Sequence, residues 1–415
     1  MKLSIQNLFL LTLGITVFAR FSAIHEWNLL HTFVLVMYIA IWGLYLIRNP
    51  FKFSFRNYSV IYLELMLYFI VFAILNHQTQ DKLAESLLTD TLQSLLMCCF
   101  MIITTFMIKK LNCLDQSISA IYKASLSFLS LCFIIYVHEV NLINTLSTFW
   151  ISNRLDRSYT LFGFSAPNLA AEGALFVILL SLYKWNKLRT NISIKRMLIV
   201  LSDIMMLLII IGNNSRGTVV DLLLLLFVFL VLRSVKSKNY KRITRLIVFF
   251  IVIAVFLLYV YLQANKMTLL ELLTIANRNH LYDNLQVLFN SGRLLTGIGS
   301  FSGNIFKSGY SMYGWHLNYM EMFYVGVFVK TGIFGSIVIL SIIVKIFKGI
   351  VKAYSLNSCF EGKWYILIFA HMIIVSFFET YLFSHSYITS TCLLIILISY
   401  LDISAYEGKM VKKSI

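Results

Sequence analysis

Five residues in the second half of the chain have the types and spacing to act on a charged, hydroxyl-bearing molecule. Arg216 lies in Gly212-Asn213-Asn214-Ser215-Arg216-Gly217, the only polar break between two apolar runs. A tight turn there needs only Gly and Asn, so a guanidinium at its tip is an added cost unless it binds something. Its planar fork matches two oxygens of a phosphate; the plainer reading is a headgroup anchor at a helix end. Arg278 and Arg293 bracket a second polar stretch. Between them, apolar residues fall at 281, 285, 288 and 289, which is one face of an amphipathic helix. Ser291-Gly292-Arg293 ends that stretch and Gly297-Ile298-Gly299 follows. A turn of this kind exposes backbone N–H groups that can cradle an anion, although Gly-x-Gly alone is a weak signal.

His316 and Glu321 are the candidates for proton transfer. The imidazole titrates near neutral pH, whereas a carboxylate opening a helix is also favourable to the helix dipole for structural reasons alone. The residue types leave that choice open. Tyr310, Tyr313 and Trp315 lie beside His316 and can either stack on sugar faces or form an interfacial anchoring belt. Glu64, Asp203 and Asp221 sit in apolar runs, where ionisable groups are functional by default. No Cys/His spacing suggests a metal site, and neither metal nor cofactor is expected.

These residues need elements to hold them, and the composition says which kind. Hydrophobic residues make up 59% of the 415, charged residues only 13%, and there are two prolines; soluble domains carry roughly 25% charged residues. Mean hydropathy is +0.81. The expected fold is an all-α polytopic membrane domain covering 1–415, with about twelve transmembrane helices. The spans fall near 8–24, 28–47, 59–75, 91–108, 118–137, 167–183, 197–213, 218–232, 246–263, 319–344, 364–382 and 388–402. The first has some features of a signal peptide, but Phe21 stands where cleavage after Ala23 needs a small residue, so a retained anchor is expected.

Cations orient the spans. With the N-terminus inside, 25 of the 35 Lys and Arg residues fall on the cytoplasmic side, which makes the chain multi-pass with both termini cytoplasmic. The net charge of +17 is then a topology signal facing anionic lipid, and no nucleic-acid partner is implied. Cys98, Cys99, Cys132 and Cys392 fall in spans and Cys113 and Cys359 in inner loops, so no disulfide is expected. The outer side receives a loop at 138–166 and a large one at 264–318, between helices nine and ten. Loops that long are disproportionately functional.

The order of motifs resembles the O-antigen polymerase and O-antigen ligase superfamily (Wzy and WaaL). The matching elements are Ala166-Pro167-Asn168-Leu169-Ala170 opening a span, the Ser215-Arg216-Gly217 turn, Arg278 in the large loop, Gly297-Ile298-Gly299, and Trp315 to Glu321 ahead of Gly332-Ile333-Phe334-Gly335. The resemblance covers roughly residues 160–345; the motifs are individually loose and more specific in their order.

The resemblance implies a bacterial inner-membrane enzyme with a large periplasmic loop. It would perform metal-independent glycosyl transfer from a polyprenyl-diphosphate-linked oligosaccharide, with membrane lipids, a flippase and a chain-length regulator as partners. Arg216, Arg278 and Arg293 would bind the diphosphate, the first two stabilising the leaving group's growing charge, and Glu321 or His316 would be the catalytic base. Ligases usually place His-Asn about eleven residues before the first glycine of Gly-x-x-Gly. Here that position is Glu321, with His316 five residues further upstream, a pattern closer to polymerases. The alternatives are an O-antigen ligase and a transporter or flippase. Against the last, no inverted repeat or pair of broken helices is legible in the sequence.

Overall fold

The computed structural model describes residues 4–21, 28–50, 58–77, 84–137, 143, 167–188, 194–213, 215–234, 285–286, 288–297, 309–310, 316–317, 322–356, 360–379, 381–383 and 387–413. Eleven helices of sixteen or more residues account for nearly all of them: α1 (Ile5–Phe21), α2 (Asn28–Arg48), α3 (Val60–His77), α4 (Ala84–Leu111), α5 (Leu114–Tyr136), α6 (Pro167–Lys187), α7 (Ile194–Gly212), α8 (Arg216–Ser234), α9 (Phe323–Leu356), α10 (Phe360–Val375) and α11 (Ile388–Lys413). Six of them carry stretches long and apolar enough to cross a membrane: α2, α4, α5, α6, α9 and α11. α1, α3 and α8 contribute shorter apolar stretches. The expected span at 246–263 lies outside the described residues.

Polarity in the bundle is turned inside out. Leu30, Phe33, Met37, Ile41 and Leu44 of α2 form an exposed apolar stripe at helical spacing, as do Phe334, Ile337, Leu340, Val344, Phe347 and Val351 of α9. Glu172, Thr218, Asp221 and His371 are buried instead. Apolar surface of this extent is costly in water and neutral against lipid tails. α11 occupies the centre: Cys392 to Ile398 are all buried, and an apolar sequence on every side of a helix suits full enclosure. α1 is packed into the bundle too, its Phe21 ring lying 5.7 Å from Phe128 and 6.3 Å from Phe176.

Ion pairs gather at one end of the bundle. Lys187 at the end of α6 meets Asp115 of α5 (3.1 Å) and Glu361 of α10 (2.5 Å). Lys109 of α4 lies 3.9 Å from Asp402 of α11, whose carboxylate also accepts the Tyr58 N–H at 2.5 Å. Lys345 and Glu64 pair at 2.5 Å. Glu64 therefore belongs to a half-exposed surface pair, not to a buried functional group. At this basic end α6, α4 and α2 finish while α5, α3, α7 and α10 begin. The opposite end, where α6, α8, α9 and α11 begin and α10 finishes, carries the motifs.

Two helices depart from the apolar pattern at that opposite end. α10 stops at Val375 although the apolar run continues to 382. The Ser376 carbonyl turns to accept the Phe323 N–H at 3.1 Å, and the chain closes in short turns through Phe377 and Phe378. Tyr324 of α9 rests on the Phe377 ring at 4.7 Å and donates to the Ile373 carbonyl. α9 is broken at Gly332, where φ is 63° and ψ is −160°. The break leaves the Ile333 and Phe334 N–H groups to the carbonyls of Leu294 (3.0 Å) and Leu295 (3.2 Å). A helix interrupted at membrane depth needs such replacement partners.

Candidate functional site

α6 and α8 start side by side at the non-basic end and run parallel into the bundle. Their facing residues recur at i, i+3 and i+4, so polar groups spaced this way share one side of each helix. Asn168 and Glu172 are the pair on α6; Ser215, Thr218 and Asp221 are the series leading into α8. The Ser215 hydroxyl donates to Asn168 Oδ1 at 3.1 Å. It also shares a proton contact of 2.8 Å with the Thr218 hydroxyl. Thr218 donates to Glu172 Oε1 at 2.8 Å. Hydrogen bonds thus link two motif elements separated by more than forty residues, Pro167-Asn168 and Ser215-Arg216-Gly217.

α10 and α11 close the network from the other side. The turn after α10 brings Glu379 inward, where its carboxylate accepts a hydrogen bond from the Asn168 amide and another from the Tyr387 hydroxyl at 3.1 Å. One turn and a half deeper, His371 Nδ1 lies 2.7 Å from Asp221 Oδ2, with both side chains completely buried. The Tyr381 ring meets the His371 imidazole edge-on at 5.4 Å. Asn168, Glu172, Ser215, Thr218, Glu379 and Tyr387 are thus joined by hydrogen bonds, and the Asp221–His371 pair lies within 4.8 Å of Glu172. Eight polar residues, all buried except the half-buried Asn168, therefore gather where four elements converge. In hydrocarbon such groups are costly unless bonded to one another, and each of these eight has a partner here.

The sequence-expected site residues meet different fates. Arg216 is the first residue of α8, directly beside Ser215. Its backbone thus stands where a helix N-terminus presents unpaired N–H groups and positive dipole to an anion. Arg293 is half-buried and opens a tight turn, its carbonyl accepting the N–H groups of Thr296 (3.2 Å) and Gly297 (2.8 Å). His316 pairs with Tyr310 in a two-residue antiparallel ladder. Arg278 and Glu321 lie outside the described residues. Of the amphipathic face, Leu288 is buried on α9 against Val329, with Leu285 alongside, whereas Phe289 faces outward.

The two glycine motifs are also brought together. Gly297 has φ +79°, and a Cβ there would stand 2.2 Å from the Lys330 carbonyl oxygen; a Cβ on Gly332 would stand 2.5 Å from the Leu295 carbonyl. Backbone meets backbone at this junction, so the Arg293 turn is seated in the break of α9. Tyr68 of α3 braces the break from behind through its hydroxyl to Thr331 at 3.3 Å.

Of the carboxylate and histidine members of the assembly, three are not among the candidates read from the sequence: Glu172, His371 and Glu379. The signal was present, since each is an ionisable residue in an apolar run, the criterion that picked out Asp203 and Asp221. Asp203 is held by the Ser181 hydroxyl of α6 at 2.9 Å and stands apart from the network. No protein-family model matches the chain, and no curated protein matches it either.

Proposed function

We propose that this protein is a membrane glycosyltransferase of the polymerase type, which joins polyprenyl-diphosphate-linked oligosaccharide units at the outer face of a bacterial inner membrane. About twelve spans, with both termini and the basic end of the bundle cytoplasmic, complete the picture. The observation that carries the reading is the contact between Asn168 and Ser215, which sets Arg216 at the start of α8 on the face opposite the basic end. In this reading the acceptor hydroxyl attacks the anomeric carbon of the donor, the bond to the diphosphate oxygen breaks, and the lipid diphosphate leaves with the negative charge. Arg216, with Arg278 and Arg293 from the large loop, holds that charge. The α8 N-terminus adds its own dipole. Glu321 or His316 takes the proton of the hydroxyl.

The test is a gel of surface lipopolysaccharide from cells lacking the gene and carrying variants. Arg216→Ala and Arg278→Ala are expected to leave core plus one repeat unit while the protein still inserts, and Lys should rescue poorly because it lacks the two-pronged fork. A full-length ladder from Arg216→Ala cells refutes the assignment. Bare core points to the ligase alternative. The broken α9 favours one further reading, a transporter for the lipid-linked glycan, since interrupted helices line substrate paths in transporters. Loss of a transporter would leave bare core as well, and purified protein separates it from a ligase: in liposomes it would carry lipid-linked units across the bilayer and form no glycosidic bond.

A further inference from the structure

Below the glycosyl-transfer face lies a cluster that the reaction does not use. Glu172 and Asp221 each stand five residues inside their helices, roughly 7.5 Å below the helix starts at 1.5 Å per residue. His371 stands four residues before the end of α10, at the same depth. The ligand atoms of the three side chains all lie within 4.8 Å of one another. Each residue also keeps a buried polar atom with no partner: Glu172 Oε2, Asp221 Oδ1 and His371 Nε2. Among the described residues no lysine or arginine pairs with either carboxylate. Two adjacent carboxylates in a poorly hydrated core cannot both stay ionised without a compensating charge.

We propose that Glu172, Asp221 and His371 form a binding site for a first-row divalent cation, zinc by its ligand set, which ties α6, α8 and α10 together. A charge of +2 neutralises the two carboxylates, and a neutral imidazole supplies the third ligand without adding charge. Imidazole nitrogen with carboxylate oxygen selects zinc and its neighbours over magnesium or calcium, which take oxygen alone. Tetrahedral zinc with bonds of about 2.0–2.2 Å sets its ligands roughly 3.4 Å apart. Closing from the 4.8 Å limit then moves each atom by less than about 1 Å. The 2.7 Å contact between His371 Nδ1 and Asp221 Oδ2 holds one proton; the cation takes its place and the proton leaves to solvent. Thr218 already fixes Glu172 through Oε1, the kind of supporting bond that orients a metal ligand.

The full chain, purified in detergent, is incubated with zinc chloride, passed into metal-free buffer and measured for bound zinc by mass spectrometry, with melting temperature as a second readout. The wild type is expected to retain about one zinc per chain and to melt higher with zinc than after chelation. Asp221→Asn, Glu172→Gln and His371→Ala should each lose at least nine-tenths of that zinc. Asp203→Asn, at a half-buried acid outside the cluster, should keep it. Retention below about a tenth of an ion by the wild type, with an unchanged melting temperature, overturns the proposal and leaves a shared proton as the counter-charge. Equal retention by all variants overturns it as well, because the ion is then held elsewhere. Where those variants fail to fold, X-ray absorption at the zinc edge of the loaded wild type decides: one imidazole nitrogen with carboxylate oxygens supports the site, and sulfur or all-oxygen ligation overturns it.

Discussion

Replacing Gly297 by alanine is the most exacting perturbation of the junction that seats the Arg293 turn, because Gly292 supplies its control five residues away. Both glycines have positive φ, +67° at 292 and +79° at 297. Forcing an L-residue into that region costs about 1–2 kcal/mol. A Cβ on Gly292 meets nothing within 4 Å, so Gly292→Ala should cost that strain and nothing more. A Cβ on Gly297 meets the Lys330 carbonyl oxygen at 2.2 Å. That oxygen is backbone and cannot rotate away, so the turn must lift off α9. The bonds from Ile333 to Leu294 and from Phe334 to Leu295 then break, at about 1 kcal/mol net apiece. The sum is about 3–4 kcal/mol for Gly297→Ala against about 1–2 for Gly292→Ala. Hydrogen exchange read by mass spectrometry on the peptides around 288–297 and 325–340 measures the difference. Tenfold per 1.4 kcal/mol gives a loss of protection on the order of 100- to 1000-fold for the first and roughly tenfold for the second. Equal effects of the two substitutions on Ile333 and Phe334 would show that the break in α9 is not held by this turn.

Further outcomes follow from the same geometry. Asn168→Ala removes the donor to Glu379 and the acceptor for Ser215, and should lower stability by about 1–3 kcal/mol in a detergent unfolding assay; a change under about 0.5 kcal/mol would mean the two helix starts are held by other contacts. Glu379→Gln keeps the acceptor oxygen for the Asn168 amide and should melt closer to wild type than Glu379→Ala, an order whose reversal contradicts the bonding described. If Glu321 is the base, Glu321→Gln should abolish chain elongation while His316→Ala retains part of it, and normal chains from both variants would leave catalysis to the arginines alone. A cysteine at 307 should react with an impermeant thiol reagent from outside the inner membrane and one at 238 only after permeabilisation. The opposite pattern would turn the motif-bearing face to the wrong compartment. Native Cys98, Cys113, Cys132 and Cys392 are buried and should contribute little labelling of their own.

The sequence by itself determined what depends on near neighbours. Hydropathy and helical spacing marked out where the described helices lie, because hydrocarbon selects apolar runs whatever lies beside them. The bounds are looser: α4, α9, α10 and α11 each begin or end seven to twelve residues from the expected ones. The same spacing set Ser215, Thr218 and Asp221 on one face, and Leu285 and Leu288 on another. The cations at 109, 187 and 345 are also legible as one set, and they do meet at one end of the bundle. Contacts between distant parts of the chain were not legible. Nothing local to Glu379 stops α10 four residues before it; the apolar run reads on, and the helix yields because Asn168 and Tyr387 offer its carboxylate partners. Gly332 fits an intact helix as well as a broken one, and the carbonyls of Leu294 and Leu295 decide for the break by accepting the freed N–H groups. His371 and Asp221 lie 150 residues apart and meet only once α8 and α10 are packed. A buried polar group is stable only with its partner, and the partner is supplied by the tertiary fold.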